Sequence, residues 1–248
     1  MKAVYKKPAL LNDKPFHYCA GCGHGIIHKL IAETLEELGV GDKAIGVGSI
    51  GCSVFITEYI DCDMIQPPHG RAPAAATAVK RLLPDRVVFT VQGDGDLAGI
   101  GNGEINNAVA RGEKVTTIFV NNTVFGMTGG QMAPTTLPGQ KTTTTPFGRN
   151  PELNGNPIHV CEMLATHRGA YYIERVTVDS PQAIRNAKRA IKKAFQYQLD
   201  GKGYCLVEVL SPCPTNWKMT PIESMDYVRD VMTKEYPLGV FRDGGEAL

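Results

Sequence analysis

The chain has 248 residues, enough for one sizeable hydrophobic core, and its 43% apolar and 21% charged residues are ordinary for a globular enzyme. Lys plus Arg (26) almost balances Asp plus Glu (25), so a net charge of +1 supplies no global field for gathering nucleic acid or an anionic membrane. The apolar runs, such as Val87–Phe89, are far too short to span a bilayer, and residues 1–8 carry charge without the apolar core of a signal peptide. A soluble cytoplasmic protein without nucleic-acid or membrane partners is expected.

Residues 24–39 place Ile26, Ile27, Leu30, Ile31, Leu35 and Leu38 on one helical face, opposite Glu33, Glu36 and Glu37, with Gly39 as the stop. A short buried strand follows at Ala44–Val47, then an alanine-rich helix over 72–83. Val87–Val91 and Val115–Val120 read as buried parallel strands on either side of a helix over 103–112. From 123 to 157 Gly, Thr, Pro, Asn and Met displace all periodicity, and a stretch of that length is functional or covered by a partner. A helix near 158–168, a strand near 170–176, an amphipathic helix over 181–199 and a strand at Cys205–Leu210 complete the series. Such alternation predicts an α/β domain, doubly wound on a mostly parallel sheet, over residues 1–216. Residues 217–248 are expected to form an irregular C-terminal arm that packs on a partner. On the helix over 181–199, Arg185, Lys188, Arg189, Lys192 and Lys193 oppose Ile184, Ala187, Ile191 and Phe195. A solvated face is the simpler account of them, and docking of an acidic electron carrier is the alternative.

Seven cysteines, an odd number in a chain of this size, argue against a disulfide framework. Cys19 and Cys22 form a C-x2-C in loop-like sequence, without the second C-x2-C of a four-cysteine zinc site. Cys52 and Cys213 each sit in turn-forming sequence after an apolar strand, where a thiolate can face a shared site. Cys62, Cys161 and Cys205 lie in apolar contexts and read as small core residues. From spacing alone, cluster ligation, structural zinc and plain buried thiols all stand open.

Gly93-Asp94-Gly95-Asp96 comes straight off a buried strand, and the next strand ends in Asn121-Asn122. Parallel strands bring both ends to the carboxyl edge of the sheet, the usual ligand edge of a doubly wound fold. A carboxylate and an amide oxygen there are hard ligands suited to Mg²⁺, while glycine amides and a helix N-terminus suit a diphosphate. Gly-Asp-Gly alone is a common turn; paired with two asparagines at this spacing it predicts a Mg-diphosphate site.

That pairing resembles the diphosphate-binding motif of thiamine diphosphate enzymes, and the resemblance implies Mg²⁺ ligation by Asp94, Asn122 and the Val124 carbonyl. Over about residues 15–245 the chain further resembles the β subunit of the 2-oxoacid:ferredoxin oxidoreductases. The matching segments are Cys19–His24, Ile50–Ser53, His69–Arg71, Gly93–Asp96, Asn121-Asn122, Gly126–Gln131 and Cys213–Thr215. The resemblance implies one [4Fe-4S] cluster on Cys19, Cys22, Cys52 and Cys213. It also implies thiamine diphosphate contacts by Ile50, Gly51, Cys52, Ser53, His69, Gly70, Gly93, Asp94, Gly95, Asp96, Asn122, Gly126 and Met127. His24 and His69 are candidates for polar contact with cofactor or substrate, Arg71 for pairing with an anionic group or an ordinary salt bridge, and Met127 and Met132 for packing on the cofactor. The implied reaction is oxidative decarboxylation of a 2-oxoacid to an acyl-CoA and CO2, with electrons passed to ferredoxin. An α subunit would supply the activating glutamate and much of the pocket, with γ and δ subunits as further partners, so the chain alone is expected to be inactive. Val54 and Phe55 favour a branched-chain 2-oxoacid such as 2-oxoisovalerate; the segments around His69 and Gly126 look equally like those of 2-oxoglutarate enzymes. The alternatives are a non-oxidative thiamine decarboxylase or carboligase subunit and a structural zinc module.

Overall fold

The protein is described by a computed structural model covering residues 6–244 and the backbone of 246–247. Ten strands form among the described residues: β1 Ala44–Gly48, β2 Asp63–Ile65, β3 Val87–Gly93, β4 Thr116–Asn121, β5 Val124–Phe125, β6 Gln131–Met132, β7 Ala170–Thr177, β8 Tyr204–Leu210, β9 Gly239–Asp243 and β10 Glu246–Ala247. The α-helices of four or more residues among the described residues are α1 His24–Glu37, α2 Ala72–Leu82, α3 Asn102–Ala110, α4 Pro151–Asn154, α5 Val160–Ala165, α6 Pro181–Leu199, α7 Pro214–Trp217 and α8 Pro221–Tyr227. Eight strands make one sheet in the order β10-β9-β7-β8-β4-β3-β1-β2. Its six strands from β7 to β2 are parallel, and β9 and β10 close one edge antiparallel.

The central strands lack polar alternation because both their faces are covered. On one face Phe89, Val91 and Ile118 pack with Leu30 and Ile31 of α1 and with Ile191 and Phe195 of α6. On the other, Val88, Phe119 and Leu206 pack with Ile105 and Val109 of α3 and Leu164 of α5. Continuous apolar runs are what a doubly covered parallel sheet demands. No helix among the described residues is long and apolar enough to cross a membrane.

The chain runs outward from β1 to β2, then returns over β1 to lay β3 on its other side and continues to β4. The order therefore reverses between β1 and β3, and the crevice beyond the carboxyl ends of these strands is where such folds bind ligands.

Three expectations need correction. The segment from 217 is not an irregular arm: Thr220 and Glu223 form a reciprocal capping box that starts α8, and β9 pairs with β7. Val228, Met232 and Tyr236 pack with Leu137 and Leu210 of the same chain. Residues 245 and 248 of this arm, like residues 1–5, lie outside the described residues. The stretch 123–157 lacks periodicity but has defined structure, containing the β5–β6 hairpin and α4. The basic residues of α6 are not all left to solvent either. Lys188 pairs with Glu33 (2.9 Å) and Glu37 (2.7 Å) of α1, and Lys193 with Asp243 of β9 (2.5 Å).

Candidate cofactor site

A cavity of about 140 Å³ occupies the crevice between β1 and β3. Its floor is the end of β3: Asp94 is 3% exposed, and its carboxylate accepts from the Gly95 amide (2.9 Å) and the Thr135 hydroxyl (2.9 Å). Both donors are neutral, and burial pushes the carboxyl up to about 7. A buried carboxylate with neutral donors is suited to facing a cation. A Cβ at Gly95 would come within 2.1 Å of the Phe125 ring, which would have to move to admit it.

Asn122, just past β4, forms the opposite wall. Its Oδ1 accepts from the Val124 amide (3.3 Å), and its carbonyl accepts from Trp217 Nε1 (3.2 Å). Asp94, Asn122 and Val124 all line the cavity, so the donors expected for Mg²⁺ meet in one place. Oxygen donors of this kind, with glycine backbone at 93 and 95, fit a magnesium-bound diphosphate.

The end of β1 supplies the roof through Ile50, Gly51, Cys52 and Ser53, and the segment 125–128 supplies the side through Gly126 and Met127. Gly70, expected to touch cofactor, instead donates its amide to Asp96 (2.7 Å). His69 and Asp96 line the cavity, but Asp96 binds the His69 loop rather than leaving its oxygens free. Met127 faces the cavity, whereas Met132 lies in β6 and is not on its wall. Phe55 turns away into an aromatic cluster, its ring centroid 4.2 Å from that of His17.

His24 lines the cavity, its ring held between Ser53 Oγ (3.3 Å) and Cys22 Sγ (3.2 Å). Complete burial lowers its pKa to about 4, so the ring is neutral. Arg71 is a surface residue, bound to Glu104 and to the Ile100 carbonyl, and does not line the cavity.

The four cysteines of the expected cluster set share one neighbourhood. Burial, and after it Cys213, Cys52 and Cys19, push the Cys22 thiol up to about 12. Cys52 rises to about 11, mainly by burial and then through Cys213 and Cys19. Thiols that raise one another in this way need a cation among them to ionise together. Among the described residues no three His, Cys, Asp or Glu side chains form a closed metal-binding group. Cys161 and Cys205 are buried away from this group, and Cys62 is half-buried.

Two further contacts escaped the sequence. Thr135 sits in aperiodic sequence, where no spacing points to Asp94. Asn216 donates to the Gly126 carbonyl (2.9 Å) and to Cys213 Sγ (3.2 Å), joining the cysteine region to the cavity wall. Its position three residues after Cys213 was the available signal.

Residues 49–209 match the thiamine pyrophosphate enzyme C-terminal TPP binding domain. Fold and site thus define the diphosphate-binding domain of a thiamine enzyme. The chain is 50% identical to the ketoisovalerate oxidoreductase subunit VorA of Methanothermobacter thermautotrophicus, over 98% of this chain and 53% of that one. It is 36% identical to the 2-oxoglutarate synthase subunit KorB of Archaeoglobus fulgidus, over 93% of this chain and 82% of that one. The 2-oxoglutarate:ferredoxin oxidoreductase of Magnetococcus marinus, solved with 2-oxoglutarate, coenzyme A and succinyl-CoA bound, superposes with a TM-score of 0.80. That match has 26% identity and covers 97% of this chain and 85% of that one. The chain belongs to the thiamine diphosphate-binding subunits of the 2-oxoacid:ferredoxin oxidoreductases. It spans about half the length of the VorA relatives it matches.

Proposed function

We propose that this chain is the β subunit of a cytoplasmic 2-oxoacid:ferredoxin oxidoreductase, converting a 2-oxoacid and coenzyme A to acyl-CoA and CO2 only together with an α subunit. The observation that carries this reading is the meeting of Asp94, Asn122 and Cys52 on one small cavity at the β1–β3 crevice. When bound, thiamine diphosphate supplies the electron sink for decarboxylation and a [4Fe-4S] cluster supplies one-electron transfer.

The residues of this chain have distinct tasks. Asp94 Oδ, Asn122 Oδ1 and the Val124 carbonyl hold Mg²⁺ and, through it, the diphosphate; they move no proton. Glycine backbone at 93 and 95 lets that group approach closely. Cys19, Cys22, Cys52 and Cys213 hold the cluster, with Cys52 shared between the cluster and the cavity wall. His24, neutral and bonded to Cys22 and Ser53, orients these two segments. Ile50 and Met127 give the cavity apolar walls. Those walls and the 50% identity to a ketoisovalerate oxidoreductase subunit favour a branched-chain 2-oxoacid over 2-oxoglutarate. Ferredoxin is the electron acceptor in this reading, and γ and δ subunits are further partners.

The test is anaerobic co-purification with the α subunit, followed by assay of iron, acid-labile sulfide and thiamine diphosphate. About four irons and four sulfides per chain, lost in Cys213→Ser, with one thiamine diphosphate is the expected result. Thiamine without iron would replace this reading with a non-oxidative decarboxylase, and zinc without thiamine would remove the Mg-diphosphate site.

A further inference from the structure

Thr123 stands between the two residues assigned to magnesium, and its backbone is left-handed, with φ +62°. A β-branched side chain avoids that region, so the surrounding structure must impose the turn. Asn121 does so from behind. Its Oδ1 accepts from the Thr123 amide (3.2 Å), and its Nδ2 donates to Glu208 Oε1 (2.8 Å). Glu208 lies fully buried on β8, and its other oxygen accepts from Arg175 Nε (2.8 Å) and the Cys161 thiol (3.0 Å). Arg175 is itself buried and uses its remaining donors on Glu162 and on the Pro237 carbonyl (3.0 Å). On the other side of the turn, Gln140 Nε2 donates to Thr123 Oγ1 (2.7 Å).

A buried ion pair contributes little net stability, because desolvation offsets its attraction, and in some proteins such a pair serves instead to fix a geometry. Here the geometry fixed is that of Asn121. The cavity wall is made by Asn122 and Val124, not by Asn121, Glu208 or Arg175. We propose that Arg175, Glu208 and Asn121 form a positioning relay that clamps the strained Thr123 turn and so presents the Asn122 side chain and the Val124 carbonyl to the magnesium diphosphate. The proposal rests on the Mg-diphosphate reading above. The relay sets how tightly the cofactor is held, and not the turnover of the loaded enzyme.

The assembled enzyme, freed of cofactor by chelation and dialysis, is titrated calorimetrically with thiamine diphosphate at fixed Mg²⁺. Asn121→Ala and Glu208→Gln are each expected to weaken binding by about tenfold or more. The kcat at saturating cofactor should stay within about twofold of the unaltered enzyme, since the loaded geometry is regained when the cofactor is bound. Glycine adopts φ +62° without steric cost, so adding Thr123→Gly to Asn121→Ala should recover part of the lost affinity, which a purely structural role for Asn121 would not allow. The relay is overturned by affinities in both single variants that match the unaltered enzyme, or by an Asn121→Ala loss that Thr123→Gly leaves untouched. Should Glu208→Gln fail to assemble, Asn121→Ala decides, because it leaves the Arg175–Glu208 pair in place. If the unaltered complex binds no thiamine diphosphate, the underlying reading falls and takes the relay with it.

Discussion

The Asp96 carboxylate accepts from His69 Nδ1 at 2.6 Å, tying the loop after β2 to the turn after β3 across the crevice. The same oxygen accepts from the Gly70 amide (2.7 Å), and the other from Gln92 Nε2 (2.6 Å). Gly70 is in the left-handed region at φ +78°, and a Cβ there would come within 2.7 Å of the Gly101 amide nitrogen. The two aspartates of the motif therefore divide the labour. Asp96 gathers three donors and fixes the floor of the cavity, while Asp94 faces into it.

His69→Ala should then act on the floor. It removes one donor from a buried carboxylate, a bond to a charged group that contributes about 1.5–3 kcal/mol. The imidazole is 34% exposed, so the lower end of that range is expected. Chemical denaturation of the cofactor-free complex should show this loss, together with weaker thiamine diphosphate binding. Unchanged stability would mean that Gln92 and Gly70 hold Asp96 without help.

Arg149 organises the long segment that carries Thr135. Its guanidinium donates to the carbonyls of Pro134 (3.0 Å), Thr136 (2.6 Å), Gly155 (2.9 Å) and Asn156 (2.8 Å), and the residue is only 5% exposed. Arg149→Met keeps the bulk but strands these acceptors, at about 1–3 kcal/mol for each one that water cannot reach. A loss of several kcal/mol is expected, with new protease cleavage confined to 133–157. Limited proteolysis read by mass spectrometry checks it, and unaltered cleavage would show that the segment is held by its other contacts.

How much of this was legible in sequence follows from the range of the interactions. Strands β3 and β4 showed as apolar runs because burial on both faces leaves no other composition. Strand ends brought Asp94 and the Asn121-Asn122 pair to one edge, and the resemblance to thiamine diphosphate enzymes singled out Asn122. The segment 123–157 was not legible: Arg149 binding backbone carbonyls and Thr136, Gln140 and Thr142 bonding backbone groups order it, and such interactions have no period. The tail misread for a related reason. Thr220 and Glu223 have the spacing of a capping box, but β9 gains its place by pairing with β7, more than sixty residues earlier in the chain, and by the Arg242 bond to the Ala165 carbonyl. Arg175 follows Glu174 in its strand with no spacing that marks either residue, and only the fold brings Glu208 to Arg175 and Asn121 to Glu208.

His28 makes stability depend on pH. It is fully buried, and burial, then the nearby His24, hold its pKa well below the ordinary histidine value. Its Nδ1 meets the Tyr18 hydroxyl (3.4 Å), while Nε2 has no hydrogen-bond partner among the described residues. The unfolded chain takes up a proton near pH 6.5 and the folded one does not, so stability is full above that pH and is lost as the pH falls below it. One proton gives a slope of at most about 1.4 kcal/mol per pH unit. His28→Leu should flatten this limb between pH 6.5 and 5, measured as denaturation midpoints; a slope equal to that of the unaltered protein would assign the acid sensitivity elsewhere.

Truncation after Tyr236 separates an arm that serves only a partner from one that completes this chain's own sheet. It removes β9, the Pro237 carbonyl that accepts from Arg175, and the Phe241 ring 4.8 Å from the Arg175 guanidinium. Arg175 is 1% exposed, so losing an acceptor there strands part of a buried cation, while β7 becomes an open edge ready to pair with other chains. The truncated chain should unfold at a markedly lower temperature and aggregate on warming. The Lys193–Asp243 pair is also lost, but Lys193 is 40% exposed and Lys193→Ala alone should cost less than about 1 kcal/mol. Thermal unfolding of the truncated chain and of Lys193→Ala, each beside the unaltered protein, supplies the comparison. A truncated chain as stable as the full one, impaired only in binding its partner, would restore the view of residues 217–248 as a docking arm; a loss of stability many times that of Lys193→Ala would place the arm's main role in closing the sheet over Arg175.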